Sequence, residues 1–599
     1  MRYGILVKSI VPGAILTVIT VASFAQNSTP ATAKPSAFAT MVREGKHPHL
    51  TVVISIDQFR SDYLRRLNDL LLPAKSGGKV GGFRYLMTAG SYFTEARFTH
   101  IPTYTGPGHS VILSGGLPYK TGIISNDWWD RATRSEVYCV DDARQTVVGA
   151  EEGSVAKPMG PLNLKATTVG DELKLATNGA SKVVTIALKD RAAILLGGHA
   201  QDVSLWYDPA NGNWISSTAY CKNGKLPEWA QKLNSEKTPD KTAGTTWNLS
   251  ESLTPEKLSR ALPANLPATA NPSGIGRVFP HKIPAITDTA KRSSFYRAFV
   301  MTPDANAYVF ETAKRAVNAE KLGSRGEIPD LLALNLSTND YVGHAFGPYS
   351  PEALDLTLRT DNQLSDFLNF LQKAVPGGLN EVVFVVTADH GVAPIPENLT
   401  DKNISAGRVN EALIESKVQD TLSKEFGVGI WTGKDRFGKQ LGQFNDPYLY
   451  LNDELVKQTV ASGKATRAQI ETAAARAISE IPGIYSAYSR TQVLEGRLPQ
   501  TDISSHIYKG FHPKLSGDVV VVTEPNFFIE GPGGTGTTHG SPYNYDTHVP
   551  ILIAGPGIRP GVWADPVSPA DIASTLCLLL GIEAPSANDG TPLKSALQP

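Results

Sequence analysis

The chain is poor in cysteine and carries no excess charge of either sign. Its 599 residues include three cysteines, and 57 lysines and arginines balance 57 aspartates and glutamates. So little cysteine excludes a disulfide-dense small scaffold and a cysteine-rich metal site. The balanced charge gives no reason to expect nucleic acid as an obligate partner or binding to an anionic membrane. With 41% hydrophobic residues, a chain of this length can form a large globular core.

The sequence also lacks an apolar run that is convincing as a membrane anchor. The strongest candidate, residues 10–24, is short for a transmembrane helix and contains a Pro-Gly step. It follows two basic residues and ends in Ser-Phe-Ala before Gln26, which is typical of a cleaved secretory signal. We therefore expect a signal peptide at residues 1–25, a polar linker at 26–49, export to the periplasm or the medium, and no membrane anchor.

The three cysteines have different surroundings. Cys577 lies in an apolar helical pattern (IASTLCLLLG), which predicts a buried free thiol. Cys139 and Cys221 lie in polar, loop-like segments and could form one disulfide in an oxidising compartment. The sequence leaves that pairing open, because spacing alone does not determine which cysteines pair.

Short, continuous apolar runs alternate with helical patterns along the chain. Such runs are typical of buried parallel strands, and their alternation with helices predicts an α/β fold. We expect a mostly parallel central sheet with helices on both faces, in one catalytic domain over residues 50–599. Polar, Pro/Gly-rich insertions at about 192–320 and 392–515 would form a cap near the strand ends. The six predicted strands are 50–56, 182–188, 330–337, 381–388, 518–524 and 548–555.

Charged residues follow four of these runs at the point where each predicted strand ends. In open α/β sheets, ligands bind at the carboxyl ends of the strands, so we expect these side chains to share one site. A single aspartate after a strand is often only a helix cap or a turn residue, and only the joint pattern favours a functional site. The residues concerned are Asp57, Lys189, Arg191, Asp340, His344, Asp389 and His390.

Three aspartates and three histidines offer the ligands that zinc prefers, carboxylate oxygen and imidazole nitrogen. Asp340 and His344 would share one face of a helix. Asp389 and His390 can serve the same site only if the strand before them has ended, since neighbours in a strand point to opposite faces. The set is completed by Asp57 and by His539, which lies in a glycine-rich loop. We leave His109 and His548 outside the metal set.

Residues 102–110 read PTYTGPGHS and place two threonines just before a predicted helix. A threonine there could cap the helix or act as a nucleophile. The free backbone N–H groups of a helix start favour phosphate, and we expect Gly106 and Gly108 to let the backbone approach a substrate.

Several motifs together resemble the alkaline phosphatase superfamily. The match is nearest to the branch shared by nucleotide pyrophosphatase/phosphodiesterases and the secreted, two-zinc, threonine-nucleophile alkaline phosphatases. It runs in order from about residue 50 to 595. The motifs are PTYTGPGHSVILSG, GIISNDWWD, SIDQFRSDYL, STNDYVGHAFGP, VVTADHG and THGSPYNYDTHVPILIAGPG.

The resemblance implies a role for each candidate residue. Thr105 would be the nucleophile and form a phosphothreonine, and Asn126 would hydrogen-bond a phosphoryl oxygen, which leaves Thr103 with a structural role. Two zinc ions are implied, with an accessory magnesium or calcium ion left open. One ion would be bound by Asp340, His344 and His539, and the other by Asp57, Asp389 and His390 together with the Thr105 oxygen.

Lys189 and Arg191 match the Lys-x-Arg pair of the monoesterases within this branch. The resemblance therefore implies an alkaline phosphatase, expected to be a monomer, that acts on small phosphorylated substrates and becomes more active as the pH rises. A phosphodiesterase or nucleotide pyrophosphatase with the same metals is the first alternative. A non-catalytic phosphate- or metal-binding protein is the second, although it gives no reason for a threonine beside two metals. The Tyr-Thr-Gly step and His109 do not fit the serine-type phosphatases or the sulfatases.

Overall fold

The structure, a computed structural model, describes residues 47–151, 154–263, 268–287, 289–530 and 536–597. Within these ranges, no helix combines the length and the apolar character needed to cross a bilayer. The predicted signal peptide and nearly all of the predicted linker lie outside the described residues.

Ten strands form the central sheet, here numbered β1–β10 in chain order. They are β1 (Leu50–Ile56), β2 (Ser91–Arg97), β3 (Val147–Val148), β4 (Val183–Ala187), β5 (Val203–Tyr207), β6 (Trp214–Ser217), β7 (Asp330–Leu336), β8 (Val382–Thr387), β9 (His548–Ala554) and β10 (Gly561–Trp563). Their order across the sheet is β10-β2-β9-β8-β1-β7-β4-β5-β6-β3. The middle strands β8, β1, β7, β4 and β5 run parallel to one another.

Two of the six predicted core strands behave differently from the prediction. The run at 548–555 is in the central sheet, but it pairs antiparallel with both of its neighbours. The run at 518–524 is not in the central sheet at all and pairs antiparallel in a separate sheet. Both predictions were wrong because a continuous apolar run shows that a strand is buried on both faces, not which strands it pairs with.

Seven helices around the central sheet matter for the site. They are α1 (Thr105–Ser114), α2 (Val169–Ala176), α3 (Asp190–Gly197), α4 (Pro303–Glu320), α5 (Thr338–Phe346), α6 (Pro351–Ala374) and α7 (Asp571–Leu580). Helix α1 packs against α3 and α7, and α4 packs against α6. Every residue of β1, β4, β7 and β8 is buried, so the middle of the sheet is covered on both faces as predicted.

The fold contains a second, five-stranded sheet that has its own helices. We call this sheet and its helices the cap. The strands in spatial order are Gly433–Lys434, Gln440–Asn445, Tyr448–Tyr450, Val519–Thr523 and Ile484–Ser489. The helices are Glu411–Phe426, Asp453–Ala461, Arg467–Ser479 and Asp502–Gly510. The cap reaches the segment before α1, where the Tyr104 hydroxyl donates to Asp446 Oδ2 at 2.6 Å. Part of the segment 192–320, by contrast, extends the central sheet as β5 and β6.

All three cysteines are buried and unpaired. Cys577 is thus the buried free thiol that its helical pattern predicts. A disulfide between Cys139 and Cys221, which the sequence left open, is not formed.

A buried histidine lies where the cap helix Asp502–Gly510 packs against the chain before α1. The contact is close, because a Cβ on Gly510 would lie 1.7 Å from Ile101 O. His100 is 0% exposed, and neither of its ring nitrogens has a hydrogen-bond partner among the described residues. Burial, together with His506 and Lys509, lowers the pKa of His100 from its ordinary 6.5 to about 3.

We predict that His100 makes the fold sensitive to acid. The unfolded chain binds a proton at this histidine near pH 6.5 and the folded chain does not, so stability falls as the pH drops from 6.5 toward 3. Replacing His100 by leucine removes this contribution to the pH dependence of stability. Urea unfolding midpoints measured at pH 7, 6 and 5 should fall less steeply for His100→Leu than for the wild type. Parallel curves for the two proteins would contradict the prediction.

Candidate two-metal active site

The predicted site residues meet at the carboxyl edge of the central sheet. Ile56 pairs with Leu336, and Ser55 pairs with Thr387, so β1, β7 and β8 end at nearly the same level. The residues that follow these strands therefore leave the sheet side by side. The segment after β4 and the loop before β9 complete the same edge.

The first candidate metal group consists of Asp340, His344 and His539, with ligand atoms within 4.8 Å of one another. Helix α5 brings Asp340 and His344 together across one turn, and His344 Nε2 lies 3.1 Å from Asp340 Oδ1. His539 arrives from a distant loop, with its Nε2 at 3.6 Å from the same oxygen.

The second candidate group consists of Asp57, Asp389 and His390, also within 4.8 Å. His390 Nε2 lies 3.6 Å from Asp57 Oδ1 and 3.3 Å from Asp389 Oδ2. Strand β8 ends at Thr387, so Asp389 and His390 are free to face the same site, as the sequence required. The rings of His390 and His539 stack at 3.5 Å, which makes the two groups direct neighbours.

All three histidines are oriented by backbone carbonyls. The Nδ1 atoms of His539, His344 and His390 donate to Thr103 O at 2.7 Å, Thr537 O at 2.7 Å and Gly391 O at 2.9 Å. A carbonyl only accepts, so Nδ1 carries the proton and the Nε2 lone pair faces the site. This is the arrangement that a metal-binding histidine requires. Burial lowers the pKa of His390 and of His539, whereas the adjacent Asp340 outweighs burial and raises the pKa of His344.

Three carboxylates are buried here with a single ammonium group. Lys189 Nζ lies 2.9 Å from Asp57 Oδ2 and 2.5 Å from Asp340 Oδ2, and Asp389 is also 0% exposed. Burial and the neighbouring Asp389 raise the pKa of Asp57, because one lysine does not neutralise three acids. Asp57 Oδ1 accepts no hydrogen bond among the described residues, and Oδ2 has Lys189 beside it. The donor set and its excess of negative charge fit divalent cations.

Thr105 is the first residue of α1 and is almost fully buried beside the two groups. Its Oγ1 lies 3.4 Å from His390 Nε2 and accepts from an Arg191 guanidinium nitrogen at 3.4 Å. Thr103 points elsewhere, because its hydroxyl donates to Ser541 O at 3.0 Å. The structure therefore brings Thr105, and not Thr103, to the metal-binding groups.

The start of α1 offers fewer free N–H groups than the sequence suggested. Gly106 N donates to Asn126 Oδ1 at 2.8 Å, Pro107 has no N–H, and Gly108 N donates to Tyr104 O at 2.9 Å. A Cβ on Gly108 would lie 2.2 Å from Asp389 O. The close approach that this glycine permits is thus to the loop after β8 and not to a substrate.

The groups predicted to bind phosphate surround Thr105. Because Asn126 Oδ1 accepts from Gly106, the Asn126 amide nitrogen is the group left to donate to a phosphoryl oxygen. The other guanidinium nitrogen of Arg191 donates to the Tyr138 hydroxyl at 3.1 Å, and that hydroxyl donates to Asp190 Oδ1 at 2.5 Å. Tyr138 and Asp190 thereby fix the direction of Arg191.

Sequence reasoning missed several residues that hold this site together. Tyr138 ends a separate two-stranded hairpin formed by Asp127–Asp130 and Ser135–Tyr138, and nothing in its local sequence links it to Arg191. Gln58, next to Asp57, contacts a carboxylate of each metal group. His109, which we left outside the metal set, donates from Nδ1 to Thr105 O at 2.9 Å and lies 3.1 Å from Asp389 Oδ2. His548 is bonded to Thr94 O, away from the site.

Comparison with known proteins identifies the family. The profile of the family described as type I phosphodiesterase / nucleotide pyrophosphatase matches residues 51–543. A Myroides odoratus protein named calcium-transporting ATPase is 33% identical over 564 residues, 94% of this chain and 97% of the relative. Alkaline phosphatase PhoV of Synechococcus elongatus is 33% identical over 578 residues, 94% of this chain and 95% of the relative.

The crystal structure of alkaline phosphatase PafA matches the fold with a TM-score of 0.80 and 29% identity. The match covers 92% of this chain and 99% of PafA. It confirms the fold predicted from the motifs, a large and mostly parallel sheet surrounded by helices. The chain therefore belongs to the type I phosphodiesterase / nucleotide pyrophosphatase family and has the fold of an alkaline phosphatase.

Proposed function

We propose that the protein is a secreted alkaline phosphatase that hydrolyses phosphate monoesters through a phosphothreonine at Thr105, in a site that holds two zinc ions. The observation that carries this proposal is the position of the Thr105 hydroxyl between His390 and Arg191, beside two groups of metal-binding side chains. PhoV and PafA are named alkaline phosphatases, which supports the reaction class. The names of the relatives differ, so the proposal rests on the site. Export rests on the N-terminal sequence pattern alone.

The residues that would hold the two ions are the ones described above. Asp340, His344 and His539 would bind one ion, and Asp57, Asp389 and His390 the other, with the Thr105 oxygen beside it. When bound, such a pair of ions lowers the pKa of a nucleophilic hydroxyl and stabilises the departing oxygen. Zinc is the ion that sets of three carboxylate and imidazole ligands favour, and such a set leaves a fourth coordination position open for the reaction.

The reaction proposed for the chain's own residues has two steps. Thr105 Oγ forms a bond to phosphorus as the bond from phosphorus to the substrate alcohol breaks, and the alcohol takes up a proton as it leaves. Water then cleaves the phosphothreonine and releases inorganic phosphate. A threonine hydroxyl is a weak nucleophile until it is activated. Its near-complete burial between His390 and Arg191 holds it in one place.

Three cationic or neutral donors would hold the phosphoryl group during both steps. Arg191 presents a guanidinium fork that matches two phosphate oxygens, and Lys189 adds a point charge. Asn126 adds an amide donor without charge. A monoester dianion carries more negative charge on its non-bridging oxygens than a diester does, so two cations at this position favour monoesters. The family also includes diesterases, which makes phosphodiester hydrolysis the second candidate.

Removing the nucleophile tests the covalent mechanism. We predict that Thr105→Ala lowers kcat for an aryl phosphate on the order of 10³-fold or more, while the zinc content measured by elemental analysis stays near that of the wild type. Thr105→Ser keeps a hydroxyl and should retain part of the activity. Mass spectrometry of quenched wild-type enzyme should find phosphate on the peptide that contains Thr105. Full activity of Thr105→Ala would refute the assignment.

The Lys189 and Arg191 pair tests the choice of substrate. Each charged hydrogen bond contributes about 1.5–3 kcal/mol, so Arg191→Ala or Lys189→Ala should lower kcat/KM for an aryl phosphate by about 10- to 100-fold. The effect on a bis-aryl phosphate should be much smaller. The exposed Lys222 is the control, since its alanine variant should change neither rate. A dominant diesterase rate that survives both substitutions would favour the second candidate.

Metal removal tests the cofactor. We predict that dialysis against a strong chelator abolishes hydrolysis and that zinc, rather than calcium or magnesium, restores it. Elemental analysis of the active protein should find two zinc ions per chain, and His539→Ala should lose one of them. Activity that persists in metal-free protein would contradict the proposed mechanism.

A further inference from the structure

Gln58 is bonded to a carboxylate of each metal-binding group, as Lys189 is, but Gln58 carries no charge. It follows Asp57 at the end of β1, is 0% exposed and has a φ of 61°. A positive φ is uncommon for a residue with a side chain and persists only where the surroundings enforce it. The contacts of Gln58 show what enforces it here.

The backbone and the side chain of Gln58 reach in two directions. Its N–H donates to Asp389 Oδ1 at 3.1 Å, in the group of Asp57, Asp389 and His390. Its Nε2 donates to Asp340 Oδ1 at 2.8 Å, in the group of Asp340, His344 and His539. The left-handed backbone allows both bonds at once. One residue thus ties together two carboxylates that come from different strands.

The orientation of the Gln58 amide is determined by its neighbours. A carboxylate only accepts, so the nitrogen and not the oxygen must face Asp340. The oxygen Oε1 is buried, has no hydrogen-bond partner in the described part of the chain and faces Gly343 of α5, where a Cβ would lie only 1.7 Å away. Gly343 therefore leaves the space that the Gln58 side chain needs in order to reach Asp340.

An amide suits this position chemically. A lysine or arginine here would compete with a bound cation for the carboxylates, and an aspartate or glutamate would add a further ligand. Glutamine holds Asp340 by a hydrogen bond and adds no charge. Hydrogen bonds to ligating side chains set ligand direction, and losing them weakens metal binding by about 10- to 100-fold.

We propose that Gln58 is the positioning residue that sets the spacing of the two metal groups and secures the ion held by Asp340, His344 and His539. This proposal rests on the two-metal site proposed above. It makes Gln58 act through Asp340 and Asp389, without contact with the substrate. Gly343 supports the same contact, because its lack of a side chain leaves room for the Gln58 amide.

Two substitutions separate the side chain of Gln58 from its backbone. Gln58→Met keeps the volume and removes the donor, and Gln58→Gly removes the side chain but favours the positive φ. Both keep the N–H bond to Asp389. After dialysis against a competing chelator that leaves two zinc ions on the wild type, elemental analysis should find one ion on each variant. Chelator titration should show about 10- to 100-fold weaker binding of that ion, and saturating zinc should restore most of kcat.

Gly343→Ala provides an independent test, because alanine suits a helix but its Cβ displaces the Gln58 amide. This variant should lose the same ion. In the Gln58→Gly background the Cβ has nothing to meet, so the double variant should bind zinc no worse than Gln58→Gly alone. The matched control is Gln201→Met, since Gln201 is a buried glutamine that donates to backbone carbonyls away from the site. It should lower the unfolding temperature and leave both zinc ions bound.

Three results would overturn the proposal. One is wild-type retention of both ions in Gln58→Met and Gln58→Gly. Another is equal zinc loss in Gln201→Met, which would mean general destabilisation. If the wild-type chain binds fewer than two zinc ions, both this proposal and the proposed two-metal site are wrong. If the wild type and the Gln58 variants all bind two zinc ions equally well, only the proposal about Gln58 is wrong.

Discussion

The constraint on which the rest of the site depends is the burial of three aspartates with one lysine. Asp57, Asp340 and Asp389 are at most 3% exposed, and Lys189 forms ion pairs with Asp57 and Asp340. Carboxylates removed from water at this density are unfavourable unless cations compensate them. Burial and the neighbouring Asp389 raise the pKa of Asp57, which shows that the negative charge here is not fully compensated. The position of Lys189 between Asp57 and Asp340 follows from the same need for compensation.

Rigid backbone groups, rather than other side chains, direct most of the ligands. Each metal-group histidine is held by a carbonyl, and Asn126 is held by the N–H of Gly106. The absence of a side chain on Gly108 lets α1 pack directly on the backbone after β8. Helix α1, which begins with the proposed nucleophile, and the second candidate metal group are therefore in direct contact. Such support limits movement of the reacting groups, which phosphoryl transfer by positioning and charge requires.

The cap extends this support from outside the central sheet. Tyr104, the residue before Thr105, donates to Asp446 of the cap and packs edge-on against the His539 ring. The hairpin that contains Tyr138 fixes Arg191 on the other side. The cap and the hairpin thus hold residues on either side of Thr105, although neither supplies a metal-binding residue.

The amino-acid sequence was enough to predict which acidic and histidine side chains gather at the candidate site. Asp340 and His344 meet because a helical turn requires it, and residues that end parallel strands meet because those strands share an edge. The same local rules predicted four parallel core strands and the buried thiol of Cys577. The motifs then assigned Thr105, which spacing alone did not separate from Thr103.

Only the tertiary structure decided the pairing of the last strands, the unpaired state of Cys139 and Cys221, and the partners of Gln58 and Tyr138. Those contacts join segments far apart in the chain, such as Gln58 with Asp340 and Asp389. The tertiary structure also showed that the N–H of Gly106 donates to Asn126 Oδ1. A hydrogen bond between distant segments depends on how elements pack, and local sequence patterns carry no information about that packing.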